Sequence, residues 1–130
     1  MRSPAVHISY WCVLIAALLP FGFTAIAKTL DRRRFNNHAV RDFQARMTGI
    51  AQRANWAHLN SFEAFPAFAA GVLVAQQVGA AQGKIDALAL AFIALRLAYG
   101  ACYMADLASL RSLIWAGGLA CTIALFVIGA

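Results

Sequence analysis

Charge is scarce in this sequence. Of 130 residues, 12% are Asp, Glu, Lys or Arg and 62% are hydrophobic, whereas soluble domains carry about a quarter charged residues. That shortage excludes an ordinary water-soluble domain and points to an integral membrane protein. Acidic residues are the rarest of these, five against eleven Lys and Arg. Cysteine is sparse too: Cys12, Cys102 and Cys121 are odd in number and lie in apolar runs. They offer neither a disulfide framework nor metal-ligand spacing. His38 and His58 likewise have no partner at metal-ligand spacing on a shared helix, so no metal site is expected. No internal repeat is evident.

What charge exists is concentrated. The formal net charge is +6, and Lys28, Arg32, Arg33, Arg34, Arg41, Arg46 and Arg53 are seven of the eleven basic residues. Few aromatics interleave with them, which argues against nucleic-acid binding. In a membrane protein a short loop rich in Lys and Arg reads as cytoplasmic, here residues 28–53.

Four apolar runs fit about 20 residues each, at about 7–27, 54–78, 85–104 and 107–128. The expected fold is all-α: one membrane domain over 1–130, a four-helix bundle with two cytoplasmic connections and both termini outside the cytoplasm. Residues 7–27 also end on Ala25-Ile26-Ala27, a signal-cleavage pattern. The run is longer than the roughly 7–15 apolar residues of a signal peptide, and Arg32, Arg33 and Arg34 behind it resist translocation. Small residues recur at helical spacing: Ala67, Gly71 and Ala75; Ala87, Ala91, Ala94, Ala98, Ala101 and Ala105; Gly117, Gly118 and Ala120. Each row is expected to let a neighbouring helix approach closely. Within 31–52, Val40, Phe43, Met47 and Ile50 keep helical spacing. That stretch either prolongs the second helix, lies along the interface or is a solvated loop.

The second run carries the chemistry. Arg53, Trp56, Asn60 and Glu63 step by three, four and three residues, which places them on one helical face. Pro66 withholds the hydrogen bond that the Phe62 carbonyl would otherwise accept. Arg96, Tyr99 and Tyr103 form a second stripe, and Arg111 stands one turn inside the fourth run. All of these enter from the same side of the membrane, with Glu63 and Arg96 on the order of 10–15 Å deep. Each charge there costs about 2.5–3.5 kcal/mol by insertion scales, and pairing of Glu63 with Arg96 would offset part of that. Two readings remain: a structural ion pair with interfacial tyrosines, or a polar pocket that takes a ligand.

The run RANWAHLNSFEAFPAF resembles the second-helix signature of the MAPEG family, the membrane-associated proteins in eicosanoid and glutathione metabolism. RLAYGACY, which holds Arg96, Tyr99 and Tyr103, resembles the Arg-x-x-Tyr-x-x-x-Tyr run of that family's third helix. Arg111 falls where its members carry a fourth-helix arginine. The likeness spans nearly the whole chain. It implies a homotrimer with glutathione, as co-substrate, bound between subunits at the cytoplasmic side. On that resemblance Arg53, Arg96, Tyr99 and Tyr103 hold its carboxylates and backbone, Glu63 with Asn60 meets its amino end, and Arg111 stabilises the thiolate. A lipophilic acceptor would arrive through membrane lipid. Trp56 departs from the pattern, standing where enzymes of the family often have a second basic residue. An indole offers one donor and no charge.

The function expected is therefore a glutathione-dependent transferase or peroxidase acting on lipophilic electrophiles, a microsomal-glutathione-transferase-like enzyme. One alternative is a non-catalytic protein of the same fold. Another is a small multidrug-type transporter, but those carry their acid in the first span, and here the first span has none. If the source is bacterial, the inner membrane is the expected location.

Overall fold

The computed structural model describes residues 6–130; the first five residues of the expected 1–130 domain lie outside it. The chain is 83% helix, with no strand among the described residues. In order the elements are α1 (Ile8–Leu30), a 3-10 turn (Arg32–Arg34), α2 (Val40–Ala45), α3 (Gly49–Gln77), α4 (Gln82–Met104) and α5 (Ala108–Val127). Three of them, α1, α4 and α5, are long and apolar enough to cross a membrane. α3 is the longest at 29 residues, and its polar face keeps it out of that group.

The four long helices alternate in direction. At one end, Gln76 of α3 donates to the Ser9 hydroxyl of α1 (2.8 Å), and the Ser9 backbone N–H donates to Asp86 of α4 (3.1 Å). At the other end, Arg53 near the start of α3 donates to the Met104 carbonyl closing α4 (3.1 Å). α1 packs chiefly on α3 and α4 on α5, with α3 also touching both α4 and α5. The core lies midway: Phe68, Val72 and Ala75 of α3 meet Ile85, Ala89, Phe92 and Ile93 of α4, Leu125 of α5, and Cys12 and Ala16 of α1. The Phe68 and Phe92 rings stack in parallel, 3.9 Å between centroids.

Small residues explain two of the close approaches. A Cβ on Gly71 would lie 3.2 Å from Leu125 Cβ and 3.4 Å from the Thr122 carbonyl oxygen, so α3 and α5 nearly touch backbones there. Ala75 is buried beside it, whereas Ala67 is exposed. The alanine row of α4 behaves otherwise. Ala87, Ala91, Ala94, Ala101 and Ala105 are exposed and Ala98 is half-buried. α4 packs instead through Phe92, Ile93, Arg96, Tyr99, Gly100 and Cys102. On that inner face the Phe23 ring of α1 lies against Gly100 and the Phe68 ring of α3 stacks on Phe92.

Segment 31–48 is folded rather than a loose solvated loop. α2 buries Phe43, and Met47 follows, against Ala27, Ala51 and Ala54, with Met104 alongside. Gln44 donates to the Thr24 hydroxyl at 2.7 Å, pinning α2 back along α1. The chain bends after Ala45 and starts α3 at Gly49, whose φ of 61° suits glycine. That change of axis ends the Val40–Phe43–Met47 pattern and leaves Ile50 exposed. α3 therefore begins five residues before the run expected at 54–78, and it continues as helix through Pro66. His58 is buried, with Nδ1 2.8 Å from the Pro20 carbonyl oxygen, which ties α3 to α1.

Candidate functional site

The stripe of α3 faces α4 and α5 near the end where Arg53 meets Met104. Arg96 is the centre. It lies nearly four turns into α4 and is 3% exposed. Its Nη2 donates to Asn60 Oδ1 at 2.8 Å, and at 3.4 Å to Ser61 Oγ. Ser61 in turn donates to the Ala57 carbonyl oxygen at 2.8 Å. The Asn60 amide completes the line with a long contact to Glu63 Oε2, 3.4 Å.

Of the two readings, the structural ion pair does not form: Glu63 and Arg96 make no direct contact. The ion pairs among the described residues are Arg34–Asp31 and Arg46–Asp42. Asn60 sits one turn before Glu63 on the same face and occupies the place between the two charges. Arg96 consequently meets neutral acceptors only, and Glu63 remains exposed on the outer side of the site.

A ladder of cations and rings leads from Arg96 toward the helix ends. The Arg96 guanidinium carbon lies 4.3 Å from the Tyr99 ring centre. Tyr99 meets Tyr103 edge to face at 5.5 Å. Arg111 of α5 then stands 4.4 Å from the Tyr103 ring centre, and Trp56 approaches the same ring at 6.0 Å. Guanidinium groups over aromatic faces gain from the ring quadrupole, most of all when desolvated. Arg111 makes no ion pair among the described residues and is half-buried.

Three open clefts adjoin this ladder. One is walled by Trp56, Leu59, Asn60, Glu63, Tyr99 and Tyr103. A second is walled by Asn60, Tyr99, Tyr103, Arg111, Ser112 and Trp115. A third, about 200 Å³, lies deeper between α3 and α5, with Arg96, Trp115 and Thr122 among apolar walls of Ala64, Ala67, Phe92, Gly118 and Leu119. Asn60 borders all three.

The structure thus brings together Trp56, Asn60, Glu63, Arg96, Tyr99, Tyr103 and Arg111. Arg53 stands apart: it lines none of these clefts, and its Nε donates to the Met104 carbonyl at the end of α4, where a cation also suits the helix dipole. Sequence spacing missed Ser61 and Trp115. Ser61 is one residue from Asn60, about 100° round the helix, and so falls off the stripe. Trp115 was within reach, because it follows Arg111 by four residues and shares its face.

Chemically, the arrangement is a buried cation with neutral partners, a second unpaired cation about two helical turns nearer that end of the bundle, and one exposed carboxylate. Such a set suits a zwitterionic or anionic ligand. An apolar groove opens beside it.

Residues 8–130 match the description "MAPEG family", which covers nearly the whole chain. No curated protein and no solved structure gives a significant match.

Proposed function

The chain belongs to the MAPEG family, and from that premise we propose that it is a glutathione-dependent transferase or peroxidase working inside the membrane. The observation that carries this reading is Arg96, 3% exposed and bonded only to neutral groups. A buried charge without a counter-charge is costly, and an incoming carboxylate relieves that cost. Arg96, Tyr99 and Tyr103 hold the carboxylates and backbone of glutathione, and Arg53, engaged with Met104, takes no part. Glu63, oriented by Asn60, takes its amino group. Trp56 and Tyr103 offer a stacking wall.

Arg111 takes the sulfur. A thiol has a pKa near 8.5, and an adjacent guanidinium, which stays charged when partly desolvated, favours the thiolate. The thiol proton leaves to water. In the transferase reaction the thiolate sulfur bonds to an electrophilic carbon of the acceptor, and the displaced electron pair leaves with the leaving group or takes a proton. In the peroxidase reaction sulfur attacks a hydroperoxide oxygen and the O–O bond breaks. The alkoxide takes a proton, and a second glutathione thiol attacks the sulfenic acid left on the first, closing the disulfide as water departs. The deeper groove beside Arg96 gives the lipophilic acceptor its place.

The active form is a homotrimer of four-helix, four-span subunits, with the site near the cytoplasmic face. Glu63 and Trp56 are exposed on a single chain at membrane depth, where a lipid-facing carboxylate is costly. A neighbouring subunit covers them, and the outward alanine row of α4 suits close helix contact. A non-catalytic member of the family is the second reading. It is favoured by Trp56 in a basic position and by the engagement of Arg53 with Met104.

Glutathione titration of the purified protein in detergent tests the proposal. Binding is expected to raise thiolate absorbance at neutral pH, and Arg111→Ala is expected to abolish that rise while leaving binding in place. Unchanged absorbance at saturating glutathione, with the oligomer intact, overturns it in favour of the second reading.

A further inference from the structure

The folded segment between α1 and α3 carries a surface with no part in the glutathione site. Its two acidic residues are spent internally: Asp31 holds Arg34 at 3.0 Å, and Asp42 holds Arg46 at 3.2 Å. Lys28, Arg32, Arg33 and Arg41 have no acidic partner among the described residues, and the three arginines are exposed. Four uncompensated cations thus share one end of the molecule.

Position decides what they meet. Gln44 of α2 bonds to Thr24 of α1, six residues before the end of that helix. At 1.5 Å per residue, α2 lies back along α1 by about 9 Å. It does not project into solvent but lies beside the ends of the membrane-crossing helices. Phe43 and Met47 fix it there by burial against Ala27, Ala51 and Ala54. Around the cations, Leu30 and Phe35 are exposed, and Lys28 stands 5.7 Å from the Phe35 ring centre. Exposed apolar groups beside free cations, at the level where a bilayer changes from acyl chain to headgroup, complement an amphiphile with an anionic head.

We propose that this surface binds anionic phospholipid headgroups, with Lys28, Arg32, Arg33 and Arg41 around the phosphate and Leu30 and Phe35 against the upper acyl chains. Arginine's planar fork suits phosphate oxygens. α2, which carries Arg41, is docked before any lipid arrives by the Gln44–Thr24 bond and the buried Phe43. This surface is independent of glutathione chemistry and stands or falls separately from it.

The test uses the full chain in nanodiscs of equimolar phosphatidylcholine and phosphatidylglycerol, with retained lipid counted by native mass spectrometry. Phosphatidylglycerol adducts are expected to exceed phosphatidylcholine adducts at least about fivefold, the factor that one cation near an anionic surface contributes. The preference is expected to vanish in Arg32→Gln/Arg33→Gln/Arg41→Gln and to persist in Lys84→Gln, at the opposite end of the molecule. Should the triple variant misfold, Arg41→Gln alone is expected to lower the ratio. Salt near 1 M, where screening acts within about 3 Å, is expected to collapse it in the unaltered protein. Equal retention of the two lipids overturns the proposal, as does a preference that survives the arginine changes. Loss of the preference on adding millimolar inorganic phosphate also overturns it, since the surface then serves a free anion.

Discussion

Arg96 and Glu63 do not touch; the Asn60 side chain stands between them, accepting from the guanidinium at 2.8 Å and reaching the carboxylate with its amide at 3.4 Å. Both charges lie where an ion pair would have lowered their cost. The intervening amide keeps them linked yet leaves Arg96 unneutralised. A site built to take an anion needs a cation in that condition. A direct pair would have had to break before any ligand carboxylate could bind.

Asn60 is therefore the residue whose replacement separates stability from binding. Asn60→Ala leaves Arg96 with the Tyr99 ring and, as its one hydrogen bond, the long Ser61 contact. It is expected to cost about 1.5–3 kcal/mol, the worth of a hydrogen bond to a charged group. Asn60→Asp supplies the missing carboxylate. It should melt higher than Asn60→Ala, yet bind glutathione no better, because Arg96 is then already neutralised. Thermal unfolding in detergent and calorimetric titration read the two effects. Equal melting of Asn60→Ala and the unaltered protein would show that Asn60 does not support Arg96.

Under the proposed function, Arg111 is the residue that divides binding from chemistry. Its guanidinium is braced over the Tyr103 ring at 4.4 Å and makes no ion pair among the described residues. Under the proposed function, Arg111→Ala is expected to lower kcat by roughly 10²–10³, the usual loss when one preorganised stabiliser of developing charge is removed. KM for glutathione should change little, since Arg96, Asn60 and Glu63 remain. Arg111→Lys should recover part of the rate, though a point charge lacks the planar fork that rests on the ring. Steady-state kinetics on a lipophilic electrophile decides it. A rise in KM with unchanged kcat would place Arg111 in binding only.

How much of this was legible in the sequence follows from what spacing encodes. Residues three and four apart share a helical face, so the stripes of Asn60 with Glu63 and of Arg96 with Tyr99 and Tyr103 were readable. Spacing does not say which face turns inward. The alanine row of α4 looked like a packing seam and instead lies largely exposed, because Phe92, Tyr99 and Gly100 take the inner face. Nor does depth determine pairing: Glu63 and Arg96 were matched by distance along their helices, and a side chain between them intervened. Segment 31–48 was ambiguous because its order rests on tertiary contacts, Gln44 to Thr24 and Met47 onto Ala27 and Ala51. No local pattern reports those.

Asp86 tests the end of the molecule remote from the site. His7, at the N-cap of α1, makes no side-chain capping bond. Asp86 of α4 supplies it instead, accepting from the Ser9 backbone N–H at 3.1 Å and from Gln82 Nε2 at 2.8 Å. Asp86→Ala is expected to destabilise by about 1 kcal/mol, the usual cost of losing an N-cap. Asp86→Asn should lose less, since it keeps an acceptor oxygen. Both should leave glutathione binding unchanged. A fall in melting temperature with unaltered titration supports this assignment. A fall in ligand affinity would instead show that α1 reports to the site.

Gly100 of α4 faces the Phe23 ring of α1, and it lies on the same helix as Tyr99 and Tyr103. A Cβ built there would fall 2.2 Å from two atoms of the Phe23 ring, closer than any real contact allows. Phe23 is buried at 6% exposure, so its ring cannot turn away without opening the interface. Gly100→Ala is expected to cost about 1–3 kcal/mol through overpacking. Its strain should move α4 outward and carry Tyr99 and Tyr103 with it, weakening glutathione binding at a distance from any ligand contact. Phe23→Leu alone leaves a void and should also destabilise, by about 1 kcal/mol or more. Combined, the two changes relieve each other, because the smaller side chain gives the new methyl its room. The double variant should therefore be more stable than the sum of the single losses predicts, by a coupling of about 0.5–3 kcal/mol. Strict additivity in thermal unfolding would mean that the ring and the glycine are not in contact in solution.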